Sequence, residues 1–62
     1  MTSVGSVWEE KIDHDDPHAW IYLVLEVGKI NKLLILFGSN KQGVVTHVPR
    51  SWFANPLHVR LT

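Results

Sequence analysis

Apolar and polar residues alternate along most of this chain with a period of two rather than 3.6. Side chains of a strand point alternately to opposite faces, so the pattern predicts strands. The longest case is Ala19-Trp20-Ile21-Tyr22-Leu23-Val24-Leu25-Glu26-Val27, nine residues with a single charge. A strand there sets Ile21, Leu23, Leu25 and Val27 on one face. Trp20, Tyr22, Val24 and Glu26 fall on the other. The purely aliphatic set is the expected core stripe. The other set is expected to face outward, although it is too apolar for ordinary solvent-facing surface.

Four more segments read the same way. Ser6 to Ile12 predicts a first strand, because no apolar period develops that a helix would bury. Lys32 to Phe37 predicts a third strand, apolar on both faces and therefore central or covered. Gly43 to Val48 predicts a fourth, and Leu57 to Leu61 a last one in which Leu57, Val59 and Leu61 alternate with His58 and Arg60. Leu23, Leu25, Leu36 and Val59 are the expected buried residues.

The connections are punctuated by turn formers. Asp13-His14-Asp15-Asp16-Pro17-His18 reads as a loop, since Asp bonds nearby backbone and Pro17 biases Asp16 away from helix. Gly28 to Asn31 and Gly38 to Gly43 read as hairpin turns. Pro49 to Pro56 is short and bracketed by prolines, which predicts a single 3-10 turn. Five short strands in a meander, with one 3-10 turn before the last, predict an all-β, SH3-like small five-stranded barrel formed by residues 1–62 as one domain. Closing the sheet would remove exposed edges. The alternative is an open sheet of three or four strands that dimerises.

Composition sharpens this picture. A chain of 62 residues buries only about 60% of its unfolded surface, so its stability is marginal. Small domains compensate with disulfides, metals or partners. Cysteine is absent, which excludes disulfides and thiolate metal sites. No charged n-region leads into an apolar one, and no apolar run approaches the ~18 residues of a membrane span. The expectation is a soluble, cytoplasmic protein without a membrane partner. Dense packing or oligomerisation is left to stabilise it.

Net charge is zero, but unevenly placed. Glu9, Glu10, Asp13, Asp15, Asp16 and Glu26 all lie in residues 1–26, opposed there only by Lys11. Lys29, Lys32, Lys41, Arg50 and Arg60 lie in the remainder, which holds no acid. Such polarity suits a basic partner on one side and an acidic one on the other.

Candidate chemistry is sparse. His14 and His18, with Asp13, Asp15 and Asp16, have metal-ligand residue types, but Pro17 removes the helix that would align them. They read as a solvated turn, and no metal or cofactor is expected. His47 and Ser51 lack a nucleophile elbow, and no Gly-rich phosphate loop is present, so no enzymatic activity is expected. Among the aromatics, Trp8 and Phe53 read as core. Trp20 and Tyr22 read as an outward patch, with Val24 beside them, because such residues make binding hot spots. Arg50 and Trp52 extend that patch, and Asp13, Asp15 and Asp16 offer an acidic partner-binding segment. A basic sheet face of Lys29, Lys32, Lys41, Arg50 and Arg60 is the alternative, for nucleic acid.

Val48-Pro49-Arg50-Ser51-Trp52-Phe53 resembles the end of an SH3 fold, where a strand delivers a Pro-x-x-aromatic turn into the final strand. Pro49 and Trp52 match by spacing. The Ala-Leu-Tyr-Asp-Tyr segment and the Trp-Trp pair of signalling SH3 domains are absent, so the resemblance implies the fold rather than the peptide groove. Val4-Gly5-Ser6-Val7-Trp8, Tyr22-Leu23-Val24-Leu25-Glu26-Val27 and Ser51-Trp52-Phe53 are also similar to segments of short phage-encoded proteins. That resemblance implies a modulator of a host protein. The expected function is a non-enzymatic protein-binding module, with nucleic-acid binding second and a homo-oligomeric structural module third.

Overall fold

The computed structural model describes residues 2–11, 20–38 and 40–62. Its strands are β1 (Val7–Glu10), β2 (Trp20–Glu26), β3 (Ile30–Phe37), β4 (Val45–Pro49) and β5 (His58–Arg60). A 3-10 turn, Arg50–Ala54, joins the last two. The strands form one antiparallel sheet in the order β4-β3-β2-β1-β5. The all-β class and the position of the 3-10 turn match the expectation. The sheet is open, with no ladder between edge strands β4 and β5. The expected Asp13–His18 loop lies outside the described residues.

The register decides which residues meet. Trp8 pairs with Tyr22 across β1 and β2, Tyr22 with Ile35 and Val24 with Leu33 across β2 and β3, and Leu33 with Thr46 across β3 and β4. One face of the sheet therefore carries Trp8, Tyr22, Val24, Leu33, Ile35 and Val48, and these six form the buried apolar cluster. Trp20, Trp52 and Phe53 pack against it. Trp8 is core, as expected.

The faces of β2 are thus the reverse of the expected ones. Tyr22 and Val24 are 5% and 1% exposed, whereas Leu25 is 39% exposed. Leu36 and Val59, also expected in the core, are 43% and 40% exposed, and Leu23 is half-buried. The physical reason is the aromatic complement of the other elements. Trp8, Trp52 and Phe53 need a wall of large rings to pack against, and only the Trp20–Tyr22–Val24 parity supplies one. Edge-to-face ring pairs add about 0.5–1.5 kcal/mol beyond burial. The aliphatic parity is left outside.

Two buried polar side chains are fully matched, one across strands and one within the segment that leads into β1. Asn31, 1% exposed, accepts from the Gly28 N–H at 3.1 Å and donates to the Val48 carbonyl at 3.2 Å. It ties the β2–β3 turn to β4. Ser6, also buried, accepts from Trp8 Nε1 at 3.1 Å and donates to the Ser3 carbonyl at 2.6 Å.

Gly38 closes β3 against Trp20. Its φ is +153°, and a Cβ built there would lie 2.5 Å from Trp20 Cδ2. The indole would have to shift to admit it, and it stacks on Tyr22 with ring centroids 6.4 Å apart. Gly38→Ala is expected to cost about 1–3 kcal/mol, as overpacking does. Urea denaturation of the variant checks this, and an unchanged midpoint would place Trp20 elsewhere.

Candidate functional site

The most ordered chemistry lies on the inner face, where β1, β2, β5 and the 3-10 turn converge. Trp52 is half-buried in the turn and meets Trp8 and Tyr22 edge-on, with centroids at 6.0 and 5.1 Å. Phe53 does the same to Trp8 at 5.1 Å. The His58 ring lies flat on Trp52, with centroids 3.9 Å apart and planes 19° from parallel. Trp52, expected to extend an outward patch, is instead the cover of the core. Its neighbour Arg50 is exposed.

A polar chain runs through these rings. Tyr22 donates its hydroxyl proton to Glu10 Oε1 at 2.7 Å. His58 Nε2 meets Glu10 Oε2 at 2.7 Å, and His58 Nδ1 meets the Trp52 carbonyl. A carbonyl only accepts, so Nδ1 carries a proton. Each ring nitrogen of His58 and each carboxylate oxygen of Glu10 thus has a partner. Burial, and after it the hydrogen bond and charge of Glu10, push the Tyr22 hydroxyl well above the usual tyrosine range. No buried side-chain polar atom among the described residues lacks a partner. The arrangement ties β1, β2, β5 and the turn together, and its aromatic groups are spent on packing.

Glu10 and His58 escaped the sequence reading. The available signal was the parity of Glu10, two residues after Trp8 and so on the same side of β1. For His58 there was none, because Leu57, Val59 and Leu61 make the more apolar set.

The outer face is different in kind. Across β4, β3, β2 and β1 it presents the paired row Val45, Leu34, Leu23 and Val7. Leu61, whose N–H donates to the Val7 carbonyl at 2.7 Å, continues the row beside β5. Val45 and Leu61 are 44% and 50% exposed. A second row places Ile21, Glu9 and Val59 side by side. The first row thus spans four strands and Leu61, with Val7, Leu23 and Leu34 half-buried within it, and such a contiguous run differs from the isolated exposed hydrophobes normal for a soluble protein.

The remaining expected site residues are dispersed. Trp20, Tyr22 and Val24 belong to the inner face, so they form no outward patch. Asp13, Asp15 and Asp16 lie outside the described residues. Lys29 precedes β3 and Lys41 follows it, at opposite ends of an eight-residue strand. Lys32 lies on the outer face 3.3 Å from Glu26, and Arg60 is on the edge strand β5. Among the described residues no cluster of His, Asp and Glu is arranged to hold a metal, and no helix is long and apolar enough to cross a membrane. A cleft of about 260 Å³ lies between Thr2, Val27, Asn31, Arg50 and Phe53. It is smaller than the ~300 Å³ at which ligand pockets begin.

Comparison with known proteins finds no matching family model, no significantly similar curated protein and no significantly similar solved structure.

Proposed function

We propose that this chain is a non-enzymatic protein-binding module of the SH3-like small-barrel class, and that it holds its partner on the outer face of the sheet. The strand order, with a 3-10 turn between β4 and β5, supports the SH3-like reading. The resemblance to short phage-encoded proteins is what suggests a host factor as the target. One observation carries the binding reading: the apolar row from Val45 through Leu34, Leu23 and Val7 to Leu61 lies on the face opposite the buried cluster, with Val45 and Leu61 exposed at its two ends. Contiguous apolar surface of that extent marks protein contacts.

The test compares the wild type with a Leu34→Ser/Leu36→Ser variant, each immobilised and challenged with host lysate and with the free chain itself. Proteins held by the wild type are expected to be lost from the variant, with losses of roughly 2 kcal/mol or more in affinity. Retention is expected to persist as salt rises. Equal retention by both would move the contact off this face. A steep linear fall of log K with log salt, abolished by nuclease, would favour the nucleic-acid reading instead.

A further inference from the structure

We infer that the cleft between Val27, Asn31, Arg50 and Phe53 is a socket for the C-terminal residue of a partner polypeptide. Arg50 and Lys29 hold the carboxylate of that residue, and Val27 and Phe53 receive its apolar side chain. The socket uses no residue of the outer row, so it is a second contact with a chemistry of its own.

The cleft is formed where the end of β2, the start of β3 and the 3-10 turn meet. Asn31, 1% exposed at the second position of β3, is its floor. The side-chain amide of Asn31 is bonded to the Gly28 N–H and to the Val48 carbonyl, so the floor is fixed before anything binds. Val27 is exposed and Phe53 half-buried, and both retain apolar surface to cover. The volume is about 260 Å³, room for roughly eight or nine waters at ~30 Å³ each. That is too little for a whole drug-sized ligand. It matches the heavy atoms of one leucine with its carboxylate.

Charge is placed to suit an anion. Ile30 pairs with Pro49, so Lys29 and Arg50 leave the sheet next to one another. Both are exposed, and among the described residues neither has an ion pair. Among the described residues no acid lines the cleft. Glu26, the nearest in sequence, is held by Lys32 at 3.3 Å on the outer face. Glu10 is engaged by Tyr22 and His58. The mouth of the cleft is therefore positive, which favours a negative ligand group.

A positive mouth above an apolar lining narrows the ligand. A phosphate would satisfy the two cations and leave Val27 and Phe53 wet. An internal acidic residue brings charge on a short stem, and an internal apolar residue brings no charge. The last residue of a chain carries an apolar side chain and a carboxylate on one Cα. A planar carboxylate accepts two parallel hydrogen bonds from a guanidinium, so Arg50 fixes its orientation while Lys29 adds a point charge. Capture of a chain end by its carboxylate is a recurring mode of peptide recognition.

The test is an NMR titration of the full chain with an acetylated Gly-Gly-Gly-Leu peptide bearing a free carboxylate, run beside the same peptide as its C-terminal amide. The acid is expected to shift the backbone amide signals of Val27, Asn31 and Phe53. The amide peptide is expected to bind at least about tenfold more weakly, because the charged hydrogen bonds are gone. Replacing the terminal leucine by glycine is expected to weaken binding by a similar factor, about that of one buried aliphatic side chain. Arg50→Gln, at an exposed position of the turn, is expected to lose at least about tenfold with the remaining signals in place. Equal binding of acid and amide, or equal binding by the wild type and Arg50→Gln, overturns the inference. So does an acid peptide that shifts no signal, or only signals elsewhere. The acid–amide comparison needs no variant, so it decides even if Arg50→Gln fails to fold. A short oligothymidylate that moves the same signals where the peptide does not overturns it in favour of nucleic acid. No arm alters Leu34 or Leu36, so the outer-face reading stands or falls separately.

Discussion

Leu33→Ala is expected to remove most of the stability of this protein, while Leu25→Ala is expected to do little. Leu33 is 0% exposed at the centre of the sheet, paired with Val24 on one side and Thr46 on the other. Truncating it loses the transfer energy of its side chain and leaves a cavity that strands on both sides prevent from collapsing. Such changes cost about 2–5 kcal/mol. Native domains are stable by only about 5–15 kcal/mol, and one this short falls toward the lower end. Leu25 is 39% exposed beside a β-bulge, so its truncation in the monomer is expected to stay near the ~0.5 kcal/mol of surface substitutions. Thermal unfolding of both variants at dilute concentration is the check. Equal losses would mean that β2 and β3 bury both faces, and a larger loss for Leu25→Ala would mean the inner and outer faces are exchanged.

The second large effect is expected at Glu10. Glu10→Ala strands the Tyr22 hydroxyl and the His58 Nε2 in an aromatic enclosure. Hydrogen bonds to charged groups contribute about 1.5–3 kcal/mol each, and a buried polar group left unmatched loses its solvation as well. Glu10→Gln is expected to cost less. Its carbonyl accepts from Tyr22, and its amide donates to His58 once Nε2 is the unprotonated nitrogen of the ring. The gap between the two variants measures the hydrogen bonds apart from the charge.

The same cluster sets an alkaline limit. The unfolded chain loses the tyrosine proton near pH 10, whereas the native state holds it to higher pH because Tyr22 is buried against Glu10. Above pH 10 the native state therefore binds more protons than the unfolded state, and stability falls as pH rises. The slope approaches about 1.4 kcal/mol per pH unit, and below pH 10 this contribution is intact. Tyr22→Phe is expected to lose that alkaline component relative to the wild type. Denaturant titrations of both proteins between pH 8 and 11 on the order of the phenol's range would show it, and parallel curves would place the Tyr22 hydroxyl in water.

The secondary structure was legible because its signals are local. β-branched and aromatic runs, glycine and asparagine at the turns, and prolines around Arg50–Ala54 each act within a few residues. Strand positions on β1 through β5 accordingly agree with expectation to within a few residues at each end. The Trp20–Gly38 contact was not legible, because it joins residues brought together only by the β2–β3 register.

What the sequence alone determined, then, was the alternation itself: two apolar parities on β2 and β3, and a chain too short to bury both. It left open which parity faces in. On β2 the aliphatic set Ile21, Leu23 and Leu25 is the more hydrophobic by residue type, and periodicity has no further means of choosing. Only tertiary structure decided, by bringing Trp52 and Phe53 from the 3-10 turn and His58 from β5 onto Trp8 and Tyr22. Ring packing and the hydrogen bonds of Glu10 are properties of residues up to 48 positions apart, and they outweigh the modest difference in transfer energy between two apolar faces of one strand. The face that loses that competition remains apolar, with Leu25, Leu36 and Val59 exposed on it, and it is the face proposed to bind a partner.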